Sequence, residues 1–599
     1  MLDQVRGLSK LISSPNRRSL QKLFVLILIG AILEIVSVAV IPLFVLAIAN
    51  RADFNQVLND YLDVSIVDLS VLEVIAGGSI IVIVIFFLKA GYLAMVLVLQ
   101  QGLLYKVMRE LSSKLYRDYL MLPYAVHVRR NSSEQIRNLK RTIPVLILGV
   151  LNPLMSVITA FVLMLGLMTF LLIQQPLVFL IVVGTLGLGS GLFLFITNKR
   201  LYNYGVVSQD EESKSIALVQ EGLASFIEIR LLDKVDVFTK SMKLSLAGQT
   251  DAARRSAIVS GLVSPGLELL AVLTLLIVIN VIYSFELPAE ELLSIVSLMV
   301  VSLVRVRALL SQVTSNWSKY QYNSPTIFLL NEEFESIRSV SESSEHAVQA
   351  MPLAFNESVD FKAVSFSYAD DAAPPAASND LRIRKGETVV FIGPTGGGKT
   401  TCMNLLAGLL HPTQGSVNSD GIDIASNVRG WQENIAYVSQ NVFLLDETIA
   451  TNIAFGEKEI NDELLQEALY VSDLEDFVSS LPNGKDTRVG ERGAELSGGQ
   501  RQRIAIARMV YAKRPLVLMD EATSALDNVT ERRVVKRLLT LSKDTETTLV
   551  LISHRLGILE EFDTLHYFDS GKIRMSGSFD SLYTGREEFR AFVDGLQEQ

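Results

Sequence analysis

The sequence predicts a membrane all-α domain of six spanning helices followed by a water-soluble α/β domain. Three observations predict it. Six long apolar runs are confined to the residues before 314, a glycine-rich turn at Gly393–Thr400 separates a strand pattern from a helix pattern, and a second apolar strand ends in Asp520 and Glu521. A chain of 599 residues exceeds what one core usually organises, so at least two domains are expected. The predicted boundaries are 1–335 for the membrane domain, 336–355 for a linker and 356–599 for the soluble domain. Mean hydropathy is +0.35 for the whole chain, yet the residues after 314 have the mixed charge of a soluble protein. One cysteine, Cys402, excludes intrachain disulfides and any Cys-rich metal site. The net charge of -10 comes without a basic stripe or aromatic platform, so no nucleic acid partner is expected.

The six runs lie near 23–49, 74–104, 143–173, 177–197, 258–283 and 287–313, and crossing a bilayer takes about 20 mainly apolar residues. The first is too long for the apolar part of a signal peptide and is followed by further runs. Basic residues fix the orientation, because short loops rich in Lys and Arg stay on the cytoplasmic side. The stretch after the second run holds Lys106, Arg109, Lys114, Arg117, Arg129, Arg130, Arg137, Lys140 and Arg141, and the stretch after the fourth is equally basic. The opposite loops offer only Arg51 among Asp53, Asp60, Asp63, Asp68, Glu286, Glu290 and Glu291. The N-terminus, both long loops and the soluble domain are therefore predicted to face the cytoplasm of a cell whose inner (plasma) membrane the chain spans several times. Both long loops read as amphipathic helix with few turn residues, so the helices are predicted to continue past the membrane, with tips near 124–136 and 215–227. A Ser/Glu-rich stretch at 338–345 marks the linker.

In the soluble domain, 359–368 alternates like a strand, and 387–392 runs into Gly393-Pro394-Thr395-Gly396-Gly397-Gly398-Lys399-Thr400. This is the pattern GxxxxGK[ST] between a strand and a helix starting at about Thr401. Glycines let backbone N–H groups close around phosphates, Lys399 adds a point charge, and Thr400 offers a hydroxyl to Mg²⁺. The strand at 516–519 then delivers Asp520 to hold magnesium and Glu521 to polarise an attacking water. The alternative reading is that two acids in this place cap the next helix.

The string Leu496-Ser497-Gly498-Gly499-Gln500, followed by a basic helical stretch from Arg501 to Arg508, makes residues 356–585 resemble the ATP-binding-cassette (ABC) ATPases. The fold class is thus a membrane all-α six-helix domain plus a cytoplasmic α/β P-loop ATPase domain of the ABC type. The resemblance implies ATP and Mg²⁺ as cofactors, held by Gly393 to Thr401 and, from an opposite subunit, by Ser497, Gly498, Gly499 and Gln500. It implies that Tyr368 stacks on adenine, that Gln440 senses the γ phosphate and reaches the metal, and that Asp527 crosses a dimer interface. Glu521 is then the general base, and His554 contacts the γ phosphate. The run Val489-Gly490-Glu491-Arg492-Gly493 resembles the segment by which exporters touch their cytoplasmic loops. With both half-sites intact, two identical copies would form two competent ATP sites, so a homodimer in the lipid bilayer is expected. A small insertion at 372–378 is predicted to be a surface loop.

Charges inside the spans are costly and are functional candidates by default. Lys89 and Arg305 each fall about 22 to 27 Å below the outer boundary, in the cytoplasmic half, and Arg307 lies lower. They read either as a basic patch for an anionic headgroup or as charges that snorkel or pair with Glu34 or Glu268. The first span, with Glu34 and Ser37 to Phe44, together with the surroundings of Lys89 and Arg305, resembles bacterial lipid-linked-oligosaccharide flippases of the ABC exporter class. That resemblance implies a polyprenyl-diphosphate glycan as cargo and an external helix at 54–63. The fifth span departs from it, having Glu268 where a basic residue belongs. Peptide, lipid or drug export on the same plan is the alternative, and a membrane-anchored ATPase without transport the third reading.

Overall fold

The computed structural model describes residues 7–8, 10–11, 13–49, 71–284, 289–344, 352–367, 379–553 and 555–597. It divides into two compact units, 1–122 with 130–339 and 123–129 with 340–599. The expected helix at 54–63, the insertion at 372–378, Tyr368 and His554 lie outside the described residues.

In the first unit, five helical stretches among the described residues are long and apolar enough to cross a membrane: Ser14–Ile41, Leu72–Leu120, Ser132–Gln174, Pro176–Ala224 and Val235–Ile282. The sixth run forms the helix Ala289–Asn323, whose apolar stretch is diluted by Arg305 and Arg307. The continuous helix Val71–Leu120 has 50 residues, or about 75 Å of length against about 30 Å of hydrocarbon. More than half of it therefore extends beyond any bilayer, as the sparse turn residues predicted. Leu163, Leu167, Leu171, Val182, Val278 and Val306 are buried between the helices, while Phe87 and Phe195 turn 78% and 83% of their surface outward. Outward-facing aromatics on helices this apolar suit a lipid or partner surface rather than water.

The tips are short helices, Tyr124–Arg129 and Phe226–Leu231. The first falls where the sequence predicted it. The second corrects the expectation of 215–227, because Leu188–Ala224 stays helical until Ser225 leaves helical geometry and Asp233 turns left-handed. The linker also begins later than 336. Pro325–Ser344 is one helix, since Ser and Glu on a solvated helix face satisfy their own side chains, as when the Ser339 hydroxyl donates to the Ser336 carbonyl.

The second unit is built on two sheets. Strands β1 (Ser358–Ser365), β2 (Asn379–Arg384), β4 (Gln414–Ser419) and β5 (Ile422–Asp423) form an antiparallel sheet in the order β2-β1-β4-β5. The second has the order β10-β9-β3-β8-β7-β6, with β3 Thr388–Ile392, β6 Ile435–Val438, β7 Leu516–Asp520, β8 Thr548–Ile552, β9 Thr564–Asp569 and β10 Lys572–Gly577. Its five strands from β9 to β6 are parallel, and β10 is the antiparallel edge. Every residue of β3, β7 and β8 is buried, as expected for strands covered on both faces. Phe391 and Asp520 both pair with Ile552, so β3, β8 and β7 end level with one another. Whatever follows those ends is delivered to one edge.

His566, on β9, is buried with its Nε2 unpartnered and its Nδ1 2.7 Å from the Ser576 hydroxyl. Burial lowers its pKa to about 4, below the ordinary value of about 6.5. Between those values the unfolded chain binds the extra proton, so this contribution to stability is complete above about 6.5 and is lost as pH falls towards 4. Denaturant unfolding of the soluble unit within the full chain is expected to lose about 2 kcal/mol from this residue between pH 7 and pH 5. His566→Gln should remove that increment, and an unchanged pH slope would contradict it.

Candidate functional site

Four strand ends meet at the edge. β3 runs into the glycine-rich turn, β7 into Asp520 and Glu521, β6 into Gln440, and β8 into Ser553. The turn of Gly393, Pro394, Thr395, Gly396, Gly397 and Gly398 opens onto the helix Lys399–Leu406, so its amides gather at a helix N-terminus. Gly393 has φ +134, and a Cβ there would lie 2.0 Å from the Phe568 carbonyl oxygen. No other residue fits. Thr401 sits in the first turn of the same helix.

Lys399 is buried, and its ammonium donates to the carbonyls of Gly393 and Pro394, both at 2.8 Å. Burial lowers its pKa, opposed by the carboxylates of Glu521 and Asp520. Asp520 is also buried, and burial raises its pKa against the Thr400 hydroxyl, which donates to Oδ1 at 3.3 Å. A hydroxyl and one carboxylate suit a hard ion that keeps most of its waters, which describes Mg²⁺. Among the described residues no cluster of three or more His, Cys, Asp or Glu offers a competing metal site. The glycine cradle, the desolvated ammonium and this oxygen pair fit a magnesium-bound polyphosphate.

Glu521 adopts φ +49 directly after the strand, a conformation that costs a non-glycine residue of the order of 1–3 kcal/mol. Its carboxylate accepts from the Gln440 amide at 2.7 Å. Helix capping does not account for the acid pair. The next helix, Asn528–Thr545, is capped by Asp527, whose carboxylate accepts from the amides of Val529 and Thr530.

The Leu496–Gln500 string forms a second helix start. Ser497 caps the helix Gly498–Tyr511 through a reciprocal pair with Gln500: the Gln500 amide donates to Ser497 Oγ at 3.2 Å, and the Ser497 amide donates to Gln500 Oε1 at 2.8 Å. Ser497, Gly498, Gly499, Gln500, Arg503, Asp527 and Thr530 line an open cleft. It is a helix N-terminus with an arginine beside it, suited to an anion.

Three supports of this site carry no sequence motif. The β9–β10 turn backs the glycine-rich loop, with the Gly571 amide donating to the Gly397 carbonyl. Gln502 and Arg555 grip the loop after Glu521. Only a fold that brings these segments together could have exposed them.

In the membrane unit the structure gives Lys89 a partner. Its ammonium lies 2.6 Å from Glu34 and 2.9 Å from the Ser37 hydroxyl, with both charges buried. Glu34, not the exposed Glu268, is therefore the counter-ion. Arg305 lies 3.8 Å from the same carboxylate with 40% of its side chain exposed. Arg307, half-buried, is two residues further on.

These features define a membrane protein whose helical unit is joined to an α/β nucleotide-site domain. Residues 18–305 match the family model for the ABC transporter transmembrane region, and residues 377–524 match the ABC transporter model. The chain thus carries both the transmembrane and the ATP-binding domain of ABC transporters. It is 42% identical over 235 residues to the ATP-dependent lipid A-core flippase of Ralstonia nicotianae, covering 38% of this chain and 39% of that one. The flippase of the same name from Burkholderia pseudomallei is 43% identical over 227 residues, or 37% of this chain and 38% of the relative. The matched stretch thus spans about two-fifths of those relatives. The fold is that of a solved structure described as a bacterial Atm1-family ABC exporter with ATP bound, with a TM-score of 0.78, 20% identity, and coverage of 98% of this chain and 99% of that one.

Two outcomes follow from this geometry. Gly393→Ala should cost at least ~2 kcal/mol of soluble-unit stability and abolish binding of a fluorescent ATP analogue; near-normal binding would contradict the cradle. Glu34→Gln, which strands a buried ammonium, should lower the unfolding temperature of the full chain by an amount worth about 3 kcal/mol. Glu34→Gln with Lys89→Met should recover most of it, and an additive loss would show that the two charges are uncoupled.

Proposed function

We propose that this chain is one half of an ATP-driven exporter that works as a homodimer and flips a lipid-linked glycan from the cytoplasmic to the outer leaflet. The observation that carries the ATPase part is the convergence of Lys399, Thr400, Asp520, Glu521 and Gln440 on one sheet edge. The domain limits proposed are a membrane domain to about Ser344, where its last helix ends, and an ATPase domain from about 356.

In this reading the residues from Gly393 to Thr401 bind the nucleotide phosphates, with Lys399 exchanging its two carbonyl partners for phosphate oxygens. Thr400 and Asp520 hold Mg²⁺, with Gln440 beside them; the ion supplies charge neutralisation of the phosphates. Glu521 accepts the proton of the attacking water, and Gln440 orients its carboxylate. Tyr368 stacks on adenine and His554 contacts the γ phosphate. Ser497, Gly498, Gly499 and Gln500 meet the nucleotide of the opposite copy, and Asp527 crosses between copies. The tip Tyr124–Arg129 groups with the soluble unit, which supports a role in passing closure of the ATPase domains to the span helices.

For cargo, the support is charge. Glu34 faces two cations, Lys89 and Arg305, and one carboxylate cannot neutralise both; Arg305 is the open member. Arg307 adds to it. An anionic headgroup, such as the diphosphate of a polyprenyl-linked oligosaccharide or the phosphates of a related glycolipid, answers that charge. The lipid A-core flippase relatives favour a glycolipid over a peptide or drug. The pairing of Lys89 with Glu34 favours Arg305 and Arg307 over Lys89 for headgroup contact.

Glu521→Gln should bind ATP normally and lower hydrolysis by about 100-fold or more; wild-type turnover would overturn the general base. In proteoliposomes, the wild-type chain should move a short-chain polyprenyl-diphosphate oligosaccharide or a lipid A-core glycolipid in an ATP-dependent way, with Glu521→Gln as the blank. Arg305→Ala should weaken transport while leaving basal ATP hydrolysis in place. Intact ATPase activity with neither cargo moved would return peptide and drug export to the front.

A further inference from the structure

Gln502 spends its whole side chain on one loop. It is 6% exposed and lies in the first turns of the helix Gly498–Tyr511, and the loop it binds, at Ala525, lines the same cleft as Ser497. Its Oε1 accepts from the Ala525 amide at 2.8 Å, and its Nε2 donates to the Ser524 hydroxyl at 3.0 Å and towards the Glu521 carbonyl at 3.4 Å. Both ends of the carboxamide are engaged, so the group cannot rotate without breaking a bond at each end. Gly499 packs on the same loop, since a Cβ there would lie 3.0 Å from the Ala525 carbonyl oxygen.

The loop is equally held from its other side. Arg555 donates to the Ser524 carbonyl at 3.0 Å and to Glu531 at 2.7 Å, and the buried Glu531 accepts from the Thr523 hydroxyl at 2.6 Å. The loop starts at the left-handed Glu521 and ends at Asp527, which caps the next helix. A segment fixed at both ends and along its length moves as a body when one of its supports moves.

We propose that Gln502 is a positioning residue that ties the main chain of Glu521 to the helix whose start forms the anion site at Ser497. The inference rests on the reading above, in which Ser497 faces the opposite copy's nucleotide while Glu521 acts on its own chain's. On that reading one carboxamide joins the two ATP sites within each chain. A phosphate docking at Ser497 draws the helix start, Gln502 carries the displacement to residues 521–525, and Glu521 takes up its working position. Hydrolysis at one site then depends on occupancy of the other.

The test is steady-state ATP hydrolysis by the full chain in lipid nanodiscs as a function of ATP concentration, for the parent, Gln502→Met and Ser524→Ala. Nucleotide affinity is measured separately with a fluorescent ATP analogue. The parent should show a Hill coefficient above one. Gln502→Met should leave affinity within about twofold, lower kcat roughly 10- to 100-fold, and bring the Hill coefficient to one. Ser524→Ala removes a single bond without disturbing the buried volume and should shift both quantities the same way by less. The double variant should be no worse than Gln502→Met alone. A lower kcat with an unchanged Hill coefficient, or a parent already at one, overturns the proposal. If Gln502→Met fails to fold, Ser524→Ala decides it: an unchanged Hill coefficient there is equally fatal. A parent that hydrolyses no ATP would defeat the underlying reading instead.

Discussion

Two opposite charges buried at the edge of one parallel sheet set the terms for the rest of the soluble unit. Lys399 is 5% exposed and Asp520 3%, and burial works against the charged form of each. Neither is tolerable without compensation, and the chain supplies it partially: two carbonyls for the ammonium, and the hydroxyls of Thr400 and Tyr437 for the carboxylate. A polyphosphate and a hard cation would complete it, replacing lost water with fixed charge. The site is thus held in a form that its ligand relaxes. The fully buried strands, the left-handed Glu521 and the glycine that no side chain could replace are all arranged around that edge.

The same principle governs the membrane unit with a different remainder. Glu34 neutralises Lys89 closely and Arg305 loosely, so a buried pair is left stable and one cation is left accessible. Close pairing makes Lys89 a structural tie between the first two spans and leaves Arg305 as the residue with a charge to offer. Position along each helix was legible from the sequence. The partner was not, because choosing between Glu34 and Glu268 requires knowing which way each helix faces.

Elsewhere the division between legible and hidden follows the range of the contacts. The glycine-rich turn, the acid pair after β7 and the Leu496–Gln500 string are each contiguous, and each declared its local geometry. The fold class followed from these and from the apolar runs. Supports of the site come from distant segments: Asn379 binds the Gly571 carbonyl from 192 residues away, and no short pattern announces such a meeting. Gln502 sits beside the string that was read, yet its role depends on the loop it faces. Boundaries were misplaced where composition is ambiguous. A Ser/Glu-rich stretch continued as helix to Ser344, and the second tip moved to Phe226–Leu231 because helix continues through polar residues until geometry breaks at Ser225.

The central claim is that each ATP site is made from two copies, the Gly393–Thr401 loop of one and the Ser497–Gln500 string of the other. Mixing tests it directly. Lys399→Ala disables the first half-site and Ser497→Arg the second, and the two variants, differently tagged, are co-expressed and purified through both tags. Sites shared between copies give the mixed pair one intact site, so it should trap one ADP with beryllium fluoride, a closed state that needs no hydrolysis and hence no coupling through Gln502, while each variant alone traps none. A mixed pair as inert as its parents would mean that each chain closes its own site, and would contradict the account.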